Sequence, residues 1–183
     1  NHHIDGFIRE INIYPEFRIL KNQFLTIAKA MIIAHVLGYE DYLTDNRLKS
    51  ELDNQKTWFS VLGNYIEKHI LTSNDRSKLS IFTFNYDRIL EHYLLKRFDQ
   101  SEKIKNFIDS NILHVYGRIG NLSGLQKKHN EEQEIPFGFP NHNIDKINEI
   151  KENIKFMHDG IGGHERIMIN ILSNTHKILA FGY

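Results

Sequence analysis

The sequence contains no cysteine, only three prolines and no net charge. The missing cysteine excludes disulfide frameworks, cysteine-ligated zinc, iron–sulfur clusters and a cysteine nucleophile. Because 23 basic side chains balance 23 acidic ones, a partner held mainly by bulk electrostatics, such as DNA or an anionic membrane, is not expected. No apolar run approaches the roughly 18 residues of a membrane span. We therefore expect a cytoplasmic protein that binds neither a membrane nor nucleic acid directly.

The first part of the chain, residues 1–75, is predicted to be mainly helical. Its apolar side chains recur at spacings of three and four, which predicts one helix over 16–37 that ends at Gly38. A second helix is predicted from residue 44 or 45 to residue 70. The whole chain of 183 residues, 40% of them hydrophobic, is enough for a single domain.

The second part, residues 76–183, alternates predicted strands with predicted helices. Strands are predicted at 79–84, 112–116 and 177–181, and a long polar connection at 118–143 is expected to be functional or mobile. Strands separated by helices favour a parallel α/β sheet. We expect a Rossmann-like parallel sheet flanked by helices. The sequence ends in the last predicted strand, so we expect the 183 residues to be an incomplete domain.

Polar residues and glycines follow each predicted strand. In open α/β sheets, ligands bind beyond the carboxyl ends of the strands. Asn85 and Asp87 follow the first strand, residues 117–120 the second, and residues 182–183 the third. An amide and a carboxylate two residues apart can hold hydroxyls, a carboxamide or a water molecule. The same carboxylate of Asp87 also suits a cap on the following helix.

His114 lies near the end of the second predicted strand, on the face that it shares with Tyr116. One interpretation is a core histidine with a satisfied hydrogen bond. The other is a general base, because neutral imidazole accepts protons near physiological pH. A metal site is not expected, since the zinc-protease pattern that starts at His164 has Met168 in place of its second histidine.

Residues 81–91 resemble the second NAD-binding signature of sirtuin-like domains, in which a strand ends in Thr-x-Asn-x-Asp and leads into a helix. Residues 114–120 are similar to the next signature of that family, and residues 178–183 to the later strand that closes over the nucleotide. The resemblance covers residues 79–183 in family order. Its aromatic residues are most similar to the divergent bacterial sirtuin-like domains linked to phage defence.

The resemblance implies a Rossmann-like domain that binds NAD without a metal. Asn85 matches the asparagine that positions the nicotinamide ribose and the attacking water, and Asp87 matches the residue that holds the nicotinamide carboxamide. Because Tyr116 stands where the family has its catalytic histidine, the general-base role passes to His114. The remaining cofactor-binding residues that the resemblance implies are Thr83, Tyr86, Tyr116, Gly117 and Gly182.

The resemblance also implies an activity, the hydrolysis of NAD to ADP-ribose and nicotinamide in bacterial anti-phage defence. Breaking the nicotinamide–ribose bond builds positive charge on the ribose, which preorganised polar groups can stabilise. Protein deacetylation is not expected, because the zinc-binding cysteines of deacetylating sirtuins are missing. The alternative is a catalytically inert module for NAD or ADP-ribose binding, or for assembly. Further partners would be other domains or subunits of a defence complex, and we expect an oligomer.

Overall fold

The structure, a computed structural model, describes residues 18–44, 57–72, 79–126, 133–156, 159–160 and 164–180. Six α-helices lie in these ranges: α1 Arg18–Thr44, α2 Trp58–Ile66, α3 Ile89–Arg97, α4 Glu102–Asn111, α5 Ile144–Ile150 and α6 His164–Ser173. The strands described are β1 Ile81–Thr83 and β2 Ile112–His114. A π-helical turn at Glu67–Leu71 follows α2, and a 3-10 turn at Lys151–Asn153 follows α5. None of the described helices is long and apolar enough to cross a membrane.

The two strands pair in parallel, with Ile81 beside Ile112 and Thr83 beside His114. The chain connects them through α3 and α4, as the crossover between parallel strands requires. The prediction of an α/β protein is confirmed at this level. The third predicted strand is wrong over residues 177–180, which are exposed and unpaired in the described structure, and Gly182 lies outside the described residues.

Helix α1 continues through Gly38 to Thr44, so the prediction that the glycine ends this helix is wrong. Leu37 and Leu43 are buried on either side of it, and this burial outweighs the helix cost of glycine, about 1 kcal/mol. A Cβ at Gly38 would lie 2.7 Å from the Nδ2 atom of Asn141. The glycine therefore serves a close approach between α1 and a loop.

The second predicted helix is present as α2 and the π-helical turn after it, while its part over 45–56 lies outside the described residues. Thr57 caps α2, its hydroxyl accepting a hydrogen bond from the Ser60 N–H at 3.3 Å. A side-chain oxygen before the first turn satisfies an N–H that has no partner within the helix. The cap thus fixes the described start of α2.

Two apolar clusters form most of the described core. One packs α2, α3 and α4 around β2, and the other packs α1 against α5 and the segment after β2. The polar connection over 118–143 contributes buried side chains to both clusters in its described part, namely Ile119, Leu122, Leu125 and Ile135. These contacts anchor the chain that follows the carboxyl edge of the sheet.

A buried ion pair joins α1 to the start of α3. Arg88 and Glu40 are both 0% exposed, and the guanidinium Nε and Nη2 atoms donate to the two carboxylate oxygens at 3.2 and 2.6 Å. The backbone N–H of Arg88 donates to the same carboxylate at 2.9 Å. The guanidinium also donates to the carbonyl oxygens of Ile135 and Pro136 at 2.5 and 3.2 Å. A single side chain thus holds three segments together next to Asp87.

Replacing Glu40 with glutamine tests this arrangement. Glu40→Gln keeps the shape but leaves the Arg88 charge buried without a counter-ion, so the free energy of unfolding should fall by about 3–5 kcal/mol. The control is Glu102→Gln, which removes an exposed carboxylate paired with Lys105 and should cost less than about 1 kcal/mol. Chemical denaturation measures both values. Similar small losses in the two variants would contradict the structural role of the buried pair.

Candidate functional site

The parallel pairing brings the predicted site residues to one edge of the sheet. Thr83 ends β1 beside His114, which ends β2. The turn 84–87 continues from β1, and the Nδ1 atom of His114 lies 2.9 Å from the carbonyl oxygen of Asn85. Asp87 completes the same turn and contacts the first residues of α3. The strand ends that sequence patterns selected separately therefore meet at the carboxyl edge, where α/β sheets bind ligands.

Side-chain hydrogen bonds fix the turn 84–87. The Thr83 hydroxyl accepts a hydrogen bond from the Asn85 N–H at 3.1 Å, a local turn typical of threonine. Asp87 Oδ1 accepts a hydrogen bond from the Ile89 N–H at 3.1 Å, as a helix cap does. The side chain of Asn85 is exposed and has no hydrogen-bond partner among the described residues. Asn85 is therefore the predicted catalytic residue that is open to a ligand.

His114 is 6% exposed, and both of its ring nitrogens have partners. Nε2 lies 2.5 Å from the Oε1 atom of Glu91, and Nδ1 faces the carbonyl oxygen of Asn85. Both partners are acceptors, so a ring with a proton on each nitrogen satisfies both contacts, whereas a neutral ring satisfies only one. This geometry favours the buried, hydrogen-bonded interpretation of His114 over that of an available general base.

Glu91 and Arg118 complete a buried polar cluster behind His114. Arg118 Nη1 lies 3.7 Å from the same Glu91 oxygen that contacts His114, and Arg118 Nη2 donates to Asn121 Oδ1 at 2.7 Å. Burial alone would raise the pKa of Glu91, but the contacts with His114 and Arg118 outweigh burial and lower that pKa to about 2. The interior of the site therefore contains an ionised carboxylate.

Asp87 is the other carboxylate with a perturbed pKa at this edge. Burial raises the pKa of Asp87, and neither the hydrogen bond from the Ile89 N–H nor the nearby His114 cancels the rise. A carboxylate with a raised pKa, next to an exposed amide, is typical of sites that bind or transform ligands. Asp87 thus contacts the start of α3 and has a raised pKa at the carboxyl edge of the sheet.

Tyr86 and Tyr116 border the site through a third segment of chain. The Tyr86 hydroxyl donates to the carbonyl oxygen of Lys155 at 2.6 Å, and the Lys155 N–H donates to the carbonyl oxygen of Tyr116 at 2.8 Å. The ring of Tyr116 also contacts the exposed ring of Phe84, with centroids 5.9 Å apart. Two of the predicted cofactor-binding residues thus form one wall of the site together with this segment.

Gly117 meets that segment at its closest approach to β2. It forms an antiparallel bridge with Ile154, and its φ of +85° lies in the left-handed region that favours glycine. A Cβ at this position would overlap the carbonyl oxygen of Asn153. Gly117 therefore serves a close backbone contact at the site edge.

Arg88, Glu91 and Arg118 lie within segments that the sequence patterns selected, but no pattern assigned a role to any of the three. Glu91 had a detectable signal, because it stands between Leu90 and Tyr93, both buried, on a short helix most of whose residues are buried. A charge on the buried face of a helix requires a partner, and here His114 and Arg118 provide it. Arg88 follows directly after the turn residue Asp87, and no local pattern indicates that its partner is on α1.

His92, the neighbour of Glu91 on α3, has a strongly perturbed pKa. Its ring stacks on Phe137 with centroids 3.7 Å apart, and its Nε2 atom is buried without a partner among the described residues. Burial lowers the pKa of His92 to about 4, and the charges of Lys96 and Arg88 act in the same direction. The folded chain therefore holds this ring neutral in mildly acidic solution.

Stability should fall as the pH drops from about 6.5 to about 4. In this window the unfolded chain binds a proton on His92, because its ordinary pKa is about 6.5, and the folded chain does not. For this partly exposed ring, screening by solvent reduces the expected loss to about 1–2 kcal/mol. His92→Phe keeps the stack on Phe137 and should flatten the dependence in this window. Denaturant unfolding at several pH values measures it, and an unchanged slope in the variant would contradict the assignment.

Comparisons with protein-family models, with curated proteins and with solved structures find no match to this chain. The described ranges also contain no group of three or more histidine, aspartate or glutamate residues arranged to hold a metal ion. Any assignment of function therefore depends on the residues and geometry at the carboxyl edge of the sheet.

Proposed function

We propose that this chain binds NAD at the carboxyl edge of its parallel sheet and hydrolyses the nicotinamide–ribose bond. The observation that supports the proposal most strongly is the meeting of two strand ends, because Thr83 lies beside His114 and the turn through Asn85 contacts the His114 ring. This is the edge where α/β proteins bind nucleotides. The Thr-x-Asn-x-Asp pattern, which resembles that of sirtuin-like domains, supplies the choice of NAD.

The proposed reaction converts NAD and water to ADP-ribose, nicotinamide and a proton. The bond between the ribose C1 and the nicotinamide nitrogen breaks with its electron pair passing to nicotinamide, and positive charge develops on the ribose. The exposed amide of Asn85 positions the ribose and the water that bonds to C1. Asp87 holds the nicotinamide carboxamide, and the proton from the water passes to solvent.

In this proposal His114 holds the turn and does not act as a free base. Both of its ring nitrogens contact acceptors within the protein, and the ring is almost fully buried. Water can still attack without a strong base, because the departure of nicotinamide leaves an electron-deficient ribose carbon that reacts readily with a weak nucleophile. Catalysis then depends on orientation and on polar groups already in place.

The biological role that we propose comes from the same resemblance. Hydrolysis would deplete NAD in a phage-infected bacterial cell and so stop its growth. The chain would act in the cytoplasm as an oligomer, together with other domains or subunits of a defence complex. The proposal also includes a Rossmann-like sheet and a contact between Gly182 and the cofactor.

An inert module that binds NAD or ADP-ribose is the second candidate. It is favoured by the engagement of both His114 nitrogens and by Tyr116, which directly precedes Gly117 where the sirtuin-like pattern has a histidine. A site with these features can hold the dinucleotide while lacking the group that promotes turnover. The two candidates differ in a single observable, the consumption of bound NAD.

Asn85→Ala should lower the rate of NAD hydrolysis at least about 100-fold, because the ribose and the water lose the amide that orients them. The free energy of unfolding should change by no more than about 0.5 kcal/mol, since the side chain is exposed. Asn106→Ala, which removes an exposed asparagine of α4, is the matched control and should keep the wild-type rate. Chromatography of NAD and nicotinamide measures the rates, with and without an extract of phage-infected cells as the source of the activator.

Calorimetry with NAD on the same preparations separates the two candidates. Binding with consumption supports the hydrolase, and binding without consumption under either condition supports the inert module. A folded wild-type chain that neither binds nor consumes NAD contradicts both. Equal rates for wild type and Asn85→Ala would remove Asn85 from the site.

A further inference from the structure

We infer that Glu91 is a positioning residue of the proposed site, and that it acts through His114 on the peptide carbonyl of Asn85. This inference rests on the proposed function. The contacts form one continuous line: Glu91 Oε1 lies 2.5 Å from His114 Nε2, and His114 Nδ1 lies 2.9 Å from the Asn85 carbonyl oxygen. The line connects the buried face of α3 to the exposed turn after β1.

The negative charge of Glu91 determines how the His114 ring bonds. Glu91 is 1% exposed, and its Oε2 atom has no partner among the described residues. An ionised carboxylate only accepts hydrogen bonds, so His114 Nε2 donates to it. Nδ1 faces a second acceptor, the Asn85 carbonyl oxygen at 2.9 Å, and donates to it when this nitrogen also carries a hydrogen.

Two other charged groups lie near the ring. Asp87, in the turn after β1, is close enough for its charge to interact with His114. Arg118, in the segment after β2, lies 3.7 Å from the Glu91 oxygen that contacts the ring. Glu91 is the group whose carboxylate directly contacts Nε2, so the positioning role is assigned to it.

These contacts hold the backbone of Asn85 at both of its polar groups, the N–H and the carbonyl oxygen. The Asn85 N–H donates to the Thr83 hydroxyl at 3.1 Å, and the Asn85 carbonyl contacts His114. The side chain of the same residue remains exposed. Because the N–H and the carbonyl of Asn85 are fixed, the direction in which its side-chain amide projects from the turn is fixed as well. Functional side chains bind and react best when buried residues hold them in one orientation.

The test is Glu91→Gln, which keeps the size of the side chain and an acceptor oxygen but removes the charge. Nitrogen-15 NMR of the His114 ring should show protons on both nitrogens in the wild type and on one in the variant. The kcat for NAD hydrolysis should fall about 10- to 100-fold while KM changes less than about threefold, because the orientation of the Asn85 amide matters most in the transition state. Glu102→Gln, at an exposed carboxylate, should leave the ring signals and the rates unchanged.

A second variant covers the case in which Glu91→Gln does not fold. Glu91→Gln combined with Arg118→Gln removes one buried charge of each sign, so no unpaired charge is left inside the protein. The combined variant should show the same single protonation of the ring and the same loss of kcat. Far-UV circular dichroism establishes that each protein is folded before it is assayed.

The outcomes separate this inference from the function on which it rests. Wild-type kcat and KM in a variant whose ring has lost its second proton would overturn the positioning role and leave the NAD proposal intact. Unchanged ring signals in Glu91→Gln would overturn it as well. If the wild type binds NAD without consuming it, the hydrolysis that Glu91 is proposed to support is absent, and the positioning role fails while NAD binding stands. A folded wild type that does not bind or consume NAD contradicts the proposed function, and the role of Glu91 fails with it.

Discussion

The bidentate ion pair between Arg88 and Glu40 is the interaction on which the rest of the described structure depends. Neither side chain reaches solvent, so each charge relies on the other and on nearby carbonyl groups. Because Arg88 directly follows Asp87, the pair fixes where α3 starts and how the chain leaves β1. It also holds α1 and the loop at Ile135 against the same turn. The exposed edge of the sheet is thus supported from behind by a rigid polar contact.

Helix α3 carries a second buried charge on the same supporting side. Arg88 at its start contacts α1, and Glu91 one turn later contacts His114 at the end of β2. Apolar residues could fill such positions with equal or greater stability. Charged groups fix the orientation of the segments that they join, because each hydrogen bond constrains an angle as well as a distance. Two such contacts leave the turn that contains Asn85 little freedom, and we attribute the buried charges of α3 to this requirement.

The sequence was sufficient for features that depend on neighbouring residues. The β-branched and aromatic runs around β1 and β2 predicted both strands, and their alternation with helices predicted the parallel pairing. The sequence was not sufficient where contacts with residues distant along the chain determine the local structure. Helix α1 continues through Gly38 because Leu37 and Leu43 on either side of it are buried, and residues 177–180, a largely apolar run, form no strand in the described structure. The partners of Arg88 and Glu91 also lie far from them along the chain. Sequence patterns therefore predicted the candidate turn but not the buried residues that support it.

We propose that NAD binds at the carboxyl edge of the two-stranded sheet. The most direct test is a titration of the nitrogen-15-labelled chain with NAD, followed by backbone amide NMR. If NAD binds there, the shifts should be saturable and largest at residues 83–87 and 114–118, with smaller changes on the outer face of α4. Absence of shifts at millimolar NAD in a folded protein, or shifts confined to residues far from this edge, would contradict it.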